Sequence, residues 1–112
     1  MGPKRNDLEP ALYADVADGS GVADLTTVSS WRMIARMRDV VTPAFIDTGG
    51  NMVITVNPSD HTKAVIKHTW QTGETATAGV LLIEYEATWP GGRKQTFPNN
   101  GYIAVRILED LV

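Results

Sequence analysis

Two imidazoles, His61 and His68, are the side chains here best suited to holding a metal or moving a proton. Asp47 and Asp60 are the acids that could join them. The spacing fits no metal motif: the histidines are seven positions apart, and the chain has no cysteine. On a strand, an odd separation turns two side chains to opposite faces. His68 falls on the apolar face of its segment, where an imidazole hydrogen-bonded to backbone is the expected arrangement. Neither a metal site nor a cofactor is expected.

Other candidate chemistry fares no better. Glu84 and Glu86 share one strand face and could act as paired carboxylates, but an acidic face in contact with water is the simpler reading. Ser29 and Ser30 lack the Gly-x-Ser-x-Gly context of a strained nucleophile turn. Gly19-Ser20-Gly21 does not open a helix, so no phosphate cradle follows. Nothing presents a nucleophile, a base and an orienting group together, so no catalytic residue is expected and the chain is read as a non-enzyme.

The aromatic residues say more. Trp31, Trp70 and Tyr85 fall on core-facing positions of different segments, as in a sandwich core. Trp89 and Phe97 flank the turn Pro90-Gly91-Gly92. Either they close that hairpin against each other, or with Tyr102 they form a contact patch for a protein partner or a sugar.

The elements that would position these residues are strands. The chain is organised around Lys63–Trp70 and Val80–Thr88, joined by a tight connector over Gln71–Gly79. Ile66, His68 and Trp70 share one face of the first; Leu81, Ile83, Tyr85 and Ala87 share one face of the second. Leu12, Ala14 and Val16 mark an earlier strand within Ala11–Ala17. Asp24–Val28 brings Leu25 back to the core. Trp31–Arg38 alternates apolar residues with three arginines, which fits a half-buried strand better than a helix. Ala44–Thr48 and Met52–Val56 are short strands, with Gly49-Gly50 expected as a hairpin turn between them. Lys94–Phe97 returns after Trp89–Arg93, Pro98–Gly101 makes one more turn, and Tyr102–Leu108 closes the domain. Seven or eight short strands with turn signals between them predict an all-β antiparallel β-sandwich over residues 11–112. Residues 1–10 are expected to form an N-terminal arm, with Leu8 as its main apolar contact.

Composition sets outer limits. A chain of 112 residues makes one domain, and 43% apolar with 21% charged residues is ordinary for a globular protein. The net charge of −3 argues against a nucleic-acid partner, whose affinity comes mostly from neutralised phosphates. The basic clusters Arg32/Arg36/Arg38 and Arg93/Lys94 read as solvated faces or guards of strand edges. No apolar run approaches the length that crosses a membrane, so no membrane partner is expected.

A set of short motifs then carries a family resemblance. Asp24-Leu25-Thr26 follows a strand and a glycine-rich turn. A strand ending in Trp70 precedes Gly73-Glu74-Thr75, followed by Ala78-Gly79 and the strand ending Glu84-Tyr85-Glu86. Pro90-Gly-Gly-Arg-Lys-Gln-Thr-Phe-Pro98 comes next, and Gly101-Tyr-Ile-Ala-Val-Arg-Ile107 closes the series. In order and spacing, from Leu12 to Ile107, this resembles the N-terminal domain family of the baseplate upper proteins of tailed bacteriophages. His68 departs from it, standing where an aromatic residue is expected. The resemblance implies an immunoglobulin-like β-sandwich in a virion structural protein without a catalytic site, a minor tail or baseplate subunit assembled in the host cytoplasm. Its partners would be other virion proteins, in a homo-oligomer or symmetric multi-copy assembly. The alternatives are a head or neck decoration protein, or a carbohydrate- or receptor-binding module.

Overall fold

A computed structural model describes residues 11–18, 23–98 and 101–108. The expected arm with Leu8 and the turn at 19–21 lie outside the described residues. Among the described residues eight strands form: β1 Leu12–Ala17, β2 Ser30–Met37, β3 Phe45–Asp47, β4 Met52–Val56, β5 Lys63–His68, β6 Gly79–Thr88, β7 Lys94–Phe97 and β8 Ile103–Ile107. A single 3₁₀ turn, Leu25–Thr27, is capped by Asp24, whose side chain accepts the Thr26 N–H.

The strands make two antiparallel sheets. One has the order β1-β5-β4; the other has β3-β2-β6-β7, with β8 also on β6. In immunoglobulin lettering these are B-E-D and C′-C-F-G, so the expected sandwich class holds. A period of two fills the space between the sheets. Ala14 and Val16 of β1, Met52 of β4, and Ala64 and Ile66 of β5 come from one side. Met33 and Ala35 of β2, Leu81, Ile83, Tyr85 and Ala87 of β6, Phe97 of β7, and Val105 and Ile107 of β8 come from the other. Leu25 and Trp70 join the same core from outside the strands.

Two turns do something other than the sequence suggests. Gly49-Gly50 does not close a hairpin: β3 pairs with β2, through Ile34↔Ile46, whereas β4 pairs with β5, through Ile54↔Ile66. The segment therefore carries the chain from one sheet to the other. The Asp47 side chain shapes this crossing by accepting the Gly49 N–H at 2.9 Å. Gly49 itself has φ 114°, a left-handed-side conformation that a side chain would strain. The break after Phe97 likewise does not reverse the chain. β7 pairs with β6 through Tyr85↔Phe97 and β8 through Ile83↔Ile103, so the two lie in line along one edge of β6. By contrast, the Trp89–Arg93 turn is the expected hairpin, closed by the Trp89 N–H donating to the Arg93 carbonyl.

Candidate functional site: a sealed carboxylate–imidazole–carboxylate bridge

The structure separates the two histidines. His61 precedes β5, is exposed, and has Asp24 3.8 Å away. His68 ends β5 with no exposed surface. Its Nδ1 lies 3.0 Å from Asp47 Oδ2 and its Nε2 lies 2.8 Å from Glu74 Oε1. The expected backbone partner is thus replaced by two acids. Both ring nitrogens are thus held by a carboxyl oxygen, and the protons shared among the three groups decide which atom donates at each contact.

Three elements meet at this bridge. Asp47 ends β3 of the larger sheet, His68 ends β5 of the smaller one, and Glu74 sits in the connector from β5 to β6. Each acid also takes backbone donors. Asp47 Oδ1 accepts the N–H groups of Gly49 and Asn51, and Glu74 Oε1 accepts that of Gln71 at 2.9 Å. Such partners offset the desolvation that makes buried charge unfavourable. The ring is walled by aromatics: Phe45 stacks on it at 5.8 Å, and Trp70 meets it edge-on at 5.3 Å. Strand β5 stops at His68, so Trp70 lies beyond the strand predicted to end with it, yet it is 1% exposed.

Tyr85 lies under the same region. Its hydroxyl is buried with no hydrogen-bond partner among the described residues. Burial first, and the charge of Asp47 second, push the phenol above its ordinary value of 10.0. The neutral phenol therefore favours the fold. This contribution is complete below pH 10.0, where an unfolded tyrosine keeps its proton. It is lost as pH rises from there toward the raised folded value, at about 1.4 kcal/mol per pH unit. Tyr85→Phe is expected to match the parent at pH 7 and to flatten this alkaline fall. Urea denaturation of both proteins between pH 8 and 11 checks it; parallel curves would show that Tyr85 carries none of the dependence.

Chemically, the bridge resembles an acid–base relay without access. His68 itself has no exposed surface, and among the described residues no cluster of His, Asp and Glu is arranged to hold a metal. Its chemistry is that of a staple between the layers.

The other singled-out residues lie apart. Glu86 is tied to Arg32 at 3.1 Å and to Lys94 at 3.9 Å. The Ser29 hydroxyl donates to the Thr88 carbonyl. Trp89 and Phe97 are buried, at 5% and 0% exposure, and do not close the hairpin on each other. Phe97 packs on Trp31 with ring centroids 5.9 Å apart. The Trp89 indole N–H reaches the Asp24 carbonyl and the Thr27 hydroxyl, with the Arg93 guanidinium over its ring. Only Tyr102 is exposed, beneath the Arg36 guanidinium. These three aromatics therefore present no common stacking platform.

Sequence reading weighed Asp47 with the two histidines only as a metal-ligand set, which it set aside, and passed over Glu74. The available signal was that Glu74 is the sole ionisable residue between His68 and Glu84. No protein-family model, curated protein or solved structure matches the chain.

Proposed function

We propose that this protein is a structural subunit of a tailed-bacteriophage virion, a minor tail or baseplate protein that works through protein contacts and not through catalysis. The resemblance of its ordered motifs supplies the place. The observation that supports contact over catalysis is the distribution of its surfaces. The ionisable cluster Asp47–His68–Glu74 is largely buried, with no exposed surface at His68, whereas the outer face of the β1-β5-β4 sheet presents Tyr13, Val53 and Val65 to solvent. In register, Tyr13 and Val53 flank Lys67, and Val65 lies next along the same face of β5. An apolar depression of about 420 Å³ continues that face past Asp15, Ala17 and Pro58. Exposed apolar surface of this kind suits docking to another protein. β1 and β4 flank this sheet, with outer edges unpaired among the described residues, and backbone edges can also join a neighbour.

Quantitative mass spectrometry of purified virions tests the reading. The protein is expected at a fixed copy number per particle, retained through density-gradient purification. Comparison of tail-less and head-less particles separates a tail or baseplate position from a head or neck decoration. Absence from all mature particles would remove the virion assignment.

A further inference from the structure

The outer face of the larger sheet holds four arginines, and they are not equivalent. Arg32 is paired with Glu86. Arg36 donates to the carbonyls of Arg38 and Val40 and covers Tyr102. Among the described residues, Arg38 and Arg106 have no side-chain hydrogen bond or ion pair. They are nevertheless brought together. The Arg38 N–H donates to the Val80 carbonyl, and Val80 is the ladder partner of Arg106. Arg38, Val80 and Arg106 thus form one cross-strand row on one face, with the arginines two strand spacings apart, roughly 10 Å between Cα positions. Both long side chains border the same depression of about 580 Å³, floored by Ala78, Gly79 and Val80 and closed by Ile107 and Leu108. Asp39 borders the adjoining depression beside Arg38, but no ion pair joins the two.

We infer that this row is a binding site for an acidic peptide segment, one that places carboxylates on Arg38 and Arg106 and an apolar side chain over Val80. Guanidinium groups match carboxylates in a two-point geometry, and a half-apolar floor adds contact that a bare anion would not use. A partner supplying clustered Asp or Glu beside Leu or Val has this chemistry. The inference does not depend on the virion assignment, since it rests on the row alone.

The test is a nuclear magnetic resonance titration of the full ¹⁵N-labelled chain with the capped peptide Glu-Asp-Leu-Val, a sequence that occurs in this chain at 109–112. Binding is expected to move the amide signals of Arg38, Val80 and Arg106 at peptide concentrations of about 1 mM or below. Arg38→Gln with Arg106→Gln is expected to weaken it at least about tenfold, and Arg32→Gln to leave it unchanged. The peptide Gln-Asn-Leu-Val is expected to bind at least about tenfold more weakly than the acidic one. No shift with the acidic peptide overturns the site, as does equal binding by the double variant. Inorganic phosphate binding as tightly as the peptide also overturns it, by showing an anion site without peptide recognition. Both substitutions lie on exposed positions, and unchanged spectra elsewhere will show that the variant is folded.

Discussion

Replacing His68 with leucine is expected to lower stability by about 3–5 kcal/mol, measured by urea denaturation at pH 7. Leucine fills much of the ring's volume, so the loss would come from charge and not from a cavity. Without the imidazole, Asp47 and Glu74 keep their backbone donors but face each other across an apolar space bounded by Phe45 and Trp70. Removing one member of a buried ionic set leaves the others uncompensated, and that is the costly case. A double-mutant cycle isolates the cause. Glu74→Gln should be harmful in the parent and close to neutral, or stabilising, beside His68→Leu, because it then removes an uncompensated charge. A His68→Leu loss below about 1 kcal/mol would mean that the imidazole is only filler and that the two acids do not depend on it.

Trp70→Ala is expected to be of similar size, about 3–5 kcal/mol, by a different route. The indole is 1% exposed and meets the His68 ring edge-on at 5.3 Å and the Phe45 ring at 6.4 Å. Truncation opens a cavity in the layer beside the bridge, and such cavities collapse only in part. Trp70→Phe should lose appreciably less, since it keeps most of the apolar area. Equal losses for both variants would place the energy in the indole's particular shape and not in burial. An unchanged midpoint for Trp70→Ala would contradict the packing described for this residue.

The strands were legible because their signal is local. Leu81, Ile83, Tyr85 and Ala87 alternate with Leu82, Glu84, Glu86 and Thr88, and a period of two can be read without knowing the partner. Which strands pair is not a local property. Gly49-Gly50 looks like hairpin chemistry, but Asp47 turns its carboxylate toward the loop backbone and toward His68, and the chain crosses between sheets. The bridge was half legible for the same reason. His68 on a core face is visible in the pattern, whereas its contact with Asp47 exists only once β3 and β5 lie in opposite layers. Trp89 and Phe97 show the converse error: closeness to one turn suggested that they pack on each other or form a contact patch, but their partners Thr27 and Trp31 come from far earlier in the chain.

The same layout has a consequence during synthesis. β2 and β3, β4 and β5, and β6 and β7 are neighbours in sequence and can pair soon after they leave the ribosome. Each sheet is completed, however, by a union between strands roughly fifty residues apart, β1 with β5 and β2 with β6. Until β6 has been made, β2 has an empty side and the apolar faces of the first half have no opposite layer. The nascent chain therefore spends most of its elongation time with sticky edges open to neighbours, and the finished domain closes late, on the slow millisecond-to-second scale of chains dominated by distant pairings.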